Sequence, residues 1–204
     1  MESEPSRVRV ALYGPTETGK STYKAVLLGK NPNTVKTPTE TIETVERVRK
    51  FREMRRGELR PLEQYKLLLT DLSGLEDFRD ERLKAIAAGV VGCLFFYDAT
   101  DPSSAEQLVQ MVEEELLKTE YIERFLGIAI LGNKISEDLS PEAVRKVEKL
   151  KDHLDSIITP VWGYETPHLL ISSVKKNDVV LSFWVLESIL SSKEVPEQPL
   201  AKYS

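Results

Sequence analysis

Short apolar runs alternate along the chain with longer stretches in which apolar residues recur every three or four positions. The runs at 7–13, 65–70, 90–97, 128–131 and 168–171 are mostly apolar. This is how strands buried on both faces of a parallel sheet look. Between them Ala105, Leu108, Val112 and Leu116 fall at helical spacing, as do Val144, Val147, Leu150 and Leu154. Val180, Phe183, Trp184 and Leu186 crowd the last such stretch. Asp101-Pro102 and Ser140-Pro141 each place a proline where a helix would begin. Strand and helix in alternation predict an α/β protein with a mostly parallel, doubly wound sheet carrying helices on both faces. No repeat or linker interrupts residues 1–192, which are expected to form one domain, with a loose tail at 193–204.

One segment fits neither period. Ile42, Val45, Val48, Phe51 and Met54 recur every third position, and between and beyond them lie Arg47, Arg49, Lys50, Arg52, Arg55 and Arg56. Basic side chains on an edge strand discourage edge-to-edge pairing. The same residues, from Arg47 to Arg60, would also suit an acidic partner. Both readings stay open at this level.

Composition narrows the classes. The chain has 204 residues, 41% of them hydrophobic, enough for one substantial core. A net charge of -5 argues against a general nucleic-acid binder. The single cysteine, Cys93, lies in the apolar run VVGCLFFY, reads as a small buried hydrophobe and suits a reducing compartment. No apolar run is long enough to span a membrane, and neither a signal-peptide core nor a lipidation pattern is present. The expectation is a cytoplasmic protein without a direct membrane anchor. His153 and His168 have no second ligand at metal-binding spacing, Trp162 and Trp184 suit a core, and MVEEELLK reads as a solvated helix face.

The candidate chemistry begins at GPTETGKST, directly after the first strand run. The spacing Gly-x-x-x-x-Gly-Lys-Ser is that of a phosphate cradle. Gly14 and Gly19 let the backbone curl so that the N–H groups of Pro15's successors Thr16, Glu17 and Thr18 converge, Lys20 adds a point charge, and Ser21 and Thr22 add hydroxyls.

Further motifs follow in order. Thr39 lies in TPTETIETV, TDLSG puts Asp71 at a strand end with Gly74 beyond it, ILGNKIS supplies Asn133 and Lys134, and ISSVKK supplies Ser173, Val174 and Lys175. Together with GVVGCLFFYDATDP, this set resembles the Ras superfamily of small GTPases, with most likeness to its Rab and ADP-ribosylation-factor branches, over nearly the whole chain. The resemblance implies a P-loop NTPase fold with a six-stranded sheet of order 2-3-1-4-5-6, the second strand antiparallel at an edge. It implies that the first loop wraps the β-phosphate of GTP or GDP and that Lys20 reaches the β- and γ-phosphates. Mg²⁺ would be held by Ser21, by Thr39 in the triphosphate state, and by Asp71 through a water, while the Gly74 N–H meets the γ-phosphate. Regulatory or effector proteins would read two switch loops, from Thr37 to Thr44 and from Gly74 to Arg82.

Three positions depart from the pattern. Leu75 replaces the glutamine that orients the attacking water, with Glu76 beside it as the candidate substitute. Thr16 stands where Ras has glycine. Ser136 stands where a carboxylate grips guanine, which puts about 1.5–3 kcal/mol of base discrimination at stake unless Glu137 or Asp138 takes the place. The interval from Thr39 to Asp71 also exceeds the family spacing, so the hairpin between the second and third strands should extend through RRGELRP. The function expected is a GTP-binding switch with slow hydrolysis that needs a partner for turnover. The alternatives are a constitutively nucleotide-loaded interaction subunit and a P-loop kinase of small metabolites.

Overall fold

The computed structural model describes residues 6–34, 43–51, 54–55, 58–59, 63–119, 121–135 and 141–192. Strand β1 (Ser6–Tyr13) leads through the glycine loop into helix α1 (Lys20–Leu27). Strand β2 (Glu43–Phe51) is followed by a small antiparallel ribbon, β3 (Met54–Arg55) with β4 (Glu58–Leu59), and then by β5 (Glu63–Asp71). Helix α2 (Arg79–Ala87), β6 (Gly92–Asp98), α3 (Pro102–Met111), β7 (Gly127–Asn133), α4 (Pro141–Trp162), β8 (His168–Leu170) and α5 (Lys176–Ser192) complete the chain.

The main sheet runs β2-β5-β1-β6-β7-β8. The pairs β5–β1, β1–β6, β6–β7 and β7–β8 are parallel, and β2 lies antiparallel to β5 at the edge. The segment whose three-residue period suited neither element is therefore a strand at the sheet margin, extended beyond the sheet by the β3–β4 ribbon. The side chains of β2 lie outside the described residues, so the two readings of its basic positions keep their standing.

The apolar strand runs divide by alternate residues between two cores. Ala11, Tyr13, Phe95, Tyr97, Ile128 and Ile130 face Ile86, Leu108, Val112, Leu154 and Ile158. Val10, Leu12, Leu67, Leu94, Phe96 and Leu131 face Tyr23, Leu27, Val179, Phe183 and Leu186. Neighbouring strand residues point to opposite faces, so a strand covered on both sides is apolar at consecutive positions along its buried stretch. Cys93 is fully buried in the first core, where burial pushes its thiol well above the ordinary range. Asp101 caps α3 by accepting from Ser103 N at 2.9 Å, with Pro102 as the first helical residue.

Two expectations need correction. Trp184 is 59% exposed and Val180 42% exposed, because α5 turns only its Phe183–Leu186 side to the sheet. The stretch MVEEELLK is not wholly solvated: α3 continues into a π-helical turn, Val112–Leu117, in which Val112, Glu115 and Leu116 are buried. No helix among the described residues is long and apolar enough to cross a membrane. The proposed tail, 193–204, lies outside the described residues.

Candidate functional site

The described motif residues meet at the carboxyl edge of the sheet, where open α/β sheets place their ligands. Tyr13, Asp71, Asp98 and Asn133 each end a parallel strand, and the Ser172–Lys175 turn follows β8. In the first loop Gly14 has φ 139°, Glu17 60° and Gly19 89°. These positive angles curl residues 14–19 into a cup in front of α1, a conformation glycine adopts without steric cost. Lys20 is buried and folds back over the cup, donating to Gly14 O at 2.8 Å and to Pro15 O. Burial lowers its ammonium pKa to about 8, which the Asp71 carboxylate opposes and Arg82 reinforces. Thr18 closes the turn by donating to Pro15 O at 3.0 Å. Thr16 and Ser21 are half-buried, Thr22 likewise, and Glu17 points to solvent.

Asn133 ties the cup to the far side of the site. Its Nδ2 donates to Thr18 O at 2.8 Å, and its Oδ1 accepts from Ser173 N at 2.8 Å. Gly19 makes this possible, since a Cβ there would sit 2.0 Å from Asn133 Nδ2. The Ser173 hydroxyl is buried beside Gly19 and has no hydrogen-bond partner among the described residues, which leaves it available to a ligand. Lys134, at φ 64°, pairs with Asp98 at 2.8 Å. Burial would raise the Asp98 carboxyl, but hydrogen bonds from Lys134 and Thr100 outweigh it and hold the carboxyl below its ordinary value. Val174 and Lys175 are exposed at the rim. Thr39 and Ser136, with Glu137 and Asp138, lie outside the described residues, as does most of the loop from Thr37 to Thr44.

The segment after Asp71 lies directly on the cup. A Cβ on Gly74 would meet Thr16 N at 2.3 Å and Gly14 O at 2.7 Å, so only glycine fits there. The two carbonyls flanking Gly74, of Ser73 and Leu75, both accept from Arg82 Nη1, the first at 2.9 Å. Arg82 is fully buried and also forms a two-point ion pair with Glu115, whose Oε2 lies 3.1 Å from Arg82 Nε. Tyr13 donates to the same Oε2 at 2.8 Å and to Met111 O at 3.0 Å. Burial and the adjoining Glu115 push the Tyr13 phenol far up, so it stays a donor. Leu75 is 36% exposed, and Glu76 projects into solvent with an ion-pair distance of 4.0 Å to Arg79. At the other corner Ser21 stands in the first turn of α1 and Asp71 is fully buried, its Oδ2 paired with Lys24 at 3.0 Å.

Motif spacing pointed to the cup, Asp71, Gly74, Asn133 and Lys134. It missed Lys24, Arg82, Asp98 and Glu115. Only Asp98 carried a local signal, the Asp-x-Thr turn in which its Oδ1 accepts from Thr100 N at 2.9 Å.

A glycine cup between a central parallel strand and a helix, with the other strand ends gathered around it, defines a P-loop protein of the nucleotide-binding α/β class. The family model described as "50S ribosome-binding GTPase" matches residues 9–130, more than half of the chain, and the chain belongs to this family of GTPases. It is also 32% identical over 126 residues to Ras-related protein Rab-7b of Mus musculus, an alignment covering 60% of this chain and 56% of that relative. The protein is thus a member of a GTPase family, similar over part of its length to a Ras-related protein, and it spans little more than half the length of that relative.

Proposed function

We propose that this protein is a GTP-binding molecular switch that takes up GTP and GDP together with Mg²⁺ and hydrolyses GTP slowly, with a partner protein needed for faster turnover. The observation that carries this is Asn133 bridging the phosphate cup at Thr18 to the Ser173 turn, which joins the phosphate side and the base side into one frame. In this reading the N–H groups of Gly14 and of residues 16–19 and the ammonium of Lys20 neutralise the phosphates. Asn133, Lys134, Ser173 and the Val174 backbone hold the base, with Ser136 as the weakened base reader and Lys175 at the rim.

The oxygen donors of Ser21, Thr39 and Asp71 suit a hard divalent ion, and the fully buried Asp71 carboxylate supports a cation at that corner. Mg²⁺, held by these residues, would offset the charge of the phosphates. Gly74, already against the cup, is the group that would sense the third phosphate, and Leu75 has no atom with which to orient water. Glu76, turned to solvent, supports no stronger catalytic role. Effector or regulatory proteins would read the segments from Thr37 to Thr44 and from Gly74 to Arg82, and an acidic partner would suit Arg47 to Arg60.

A second reading, a nucleotide-loaded interaction subunit without turnover, is favoured by one observation: Arg82 restrains both carbonyls around Gly74. Competition binding and single-turnover hydrolysis with GTP and ATP test both readings. The switch predicts GTP preferred over ATP, hydrolysis on the order of 10⁻⁴ per second, and loss of tight binding in Lys20→Ala. Equal binding of ATP would overturn the guanine assignment, and absence of any hydrolysis would leave the second reading.

A further inference from the structure

Lys24 lies one helical turn beyond Lys20 and three residues after Ser21, so it shares with Ser21 the side of α1 that faces the end of β5. Its ammonium is 3.0 Å from Asp71 Oδ2, and the side chains are only 9% and 0% exposed. The carboxylate that the nucleotide-binding reading assigns to a divalent ion is therefore already neutralised by a cation of the chain itself. We propose that Lys24 is a built-in counter-cation at this corner, so that the site retains guanine nucleotide with little dependence on Mg²⁺. The inference rests on the proposed function above and refines its metal requirement.

The physical argument concerns competition for one carboxylate. A divalent ion seated between Ser21 and Asp71 must either displace the ammonium or stand beside it. Displacement takes the negative charge away from a buried ammonium, which a protein interior resists strongly. Coexistence sets two positive charges within a few ångströms of each other in a medium that screens weakly, and their repulsion lowers divalent-ion affinity on the order of tenfold or more. The phosphates lose little by this. Lys20 and Lys24 place two ammonium groups at the cup and its metal corner, and both side chains are buried. A lysine that merely tied α1 to β5 would leave the metal dependence of nucleotide retention unchanged.

The test is the release rate of a fluorescent GDP analogue from the full chain, measured with excess Mg²⁺ and after chelation with EDTA. Wild type should speed up less than about threefold on chelation, whereas Lys24→Met should speed up about tenfold or more and bind Mg²⁺ about tenfold more tightly in a calorimetric titration. Lys24→Gln, which keeps a hydrogen-bond donor for Asp71, serves in place of the methionine variant should that one fail to fold. Acceleration of wild type by threefold or more overturns the proposal, and so does a neutral variant as insensitive to chelation as wild type. Failure of wild type to retain the analogue even with Mg²⁺ would instead refute the nucleotide-binding reading on which the proposal stands.

Discussion

Removing the carboxylate of Glu115 while keeping its shape, by Glu115→Gln, probes the device that holds Gly74 on the phosphate cup. Arg82 has 0% and Glu115 2% side-chain exposure, so neither charge can turn to water when its partner is lost. The substitution removes the negative charge facing a buried guanidinium, turns one of its two acceptor oxygens into an NH2 donor, and strips Tyr13 of its charged acceptor. Breaking a buried pair from one side costs about 3–5 kcal/mol. For a chain of this size each kcal/mol corresponds to about 2–4 °C, so the melting temperature should fall by about 6–20 °C. Urea and thermal unfolding followed by circular dichroism measure it. The double variant Arg82→Met, Glu115→Leu should regain at least about 1 kcal/mol over the sum of the single effects, since the apolar pair leaves no charge behind. Tyr13 keeps Met111 O as acceptor in either background. A Glu115→Gln protein within about 1 kcal/mol of wild type, or strictly additive single effects, would refute the claim that this pair anchors the segment.

Asn133→Ala deletes two 2.8 Å hydrogen bonds and leaves Thr18 O and Ser173 N buried and unmatched, so stability should fall by about 2–4 kcal/mol; a loss under about 1 kcal/mol in urea unfolding would count against Asn133 as the bridge of the site. Burial, with Lys151 adding its charge, lowers the His168 pKa from 6.5 to about 4. A depressed folded pKa means its contribution is present above the unfolded value near pH 6.5 and is lost as pH falls through about 4. The loss amounts to about 3 kcal/mol at most. His168→Gln should flatten the pH dependence of stability between these limits, and an unchanged slope would refute the assignment. Leu75→Gln should raise single-turnover GTP hydrolysis, while Glu76→Ala should change it little; a variant rate equal to wild type would show that water orientation is not what limits turnover.

Whatever depends on residues near one another in the chain was legible in the sequence. The apolar runs named the parallel strands, because a strand covered on both faces buries the side chains of both alternating sets along its middle. Asp101-Pro102 marked the start of α3, because capping is settled within one helical turn. The glycine cup was visible for the same reason, its curl being a property of Gly14 and Gly19 themselves. Tertiary structure decided which faces those elements present and which charges they bring together. Helical spacing placed Trp184 in the core, but α5 meets the sheet along its Phe183–Leu186 side and leaves the indole outside. Glu115 looked solvated until the π-helical turn, with its extra residue per turn, brought it inward to Arg82. Lys24 and Asp71 belong to elements far apart in the chain and touch only because β5 lies beside β1, from which α1 springs. Burial then makes each of these pairs compulsory, since a lone charge in the interior costs far more than the pair.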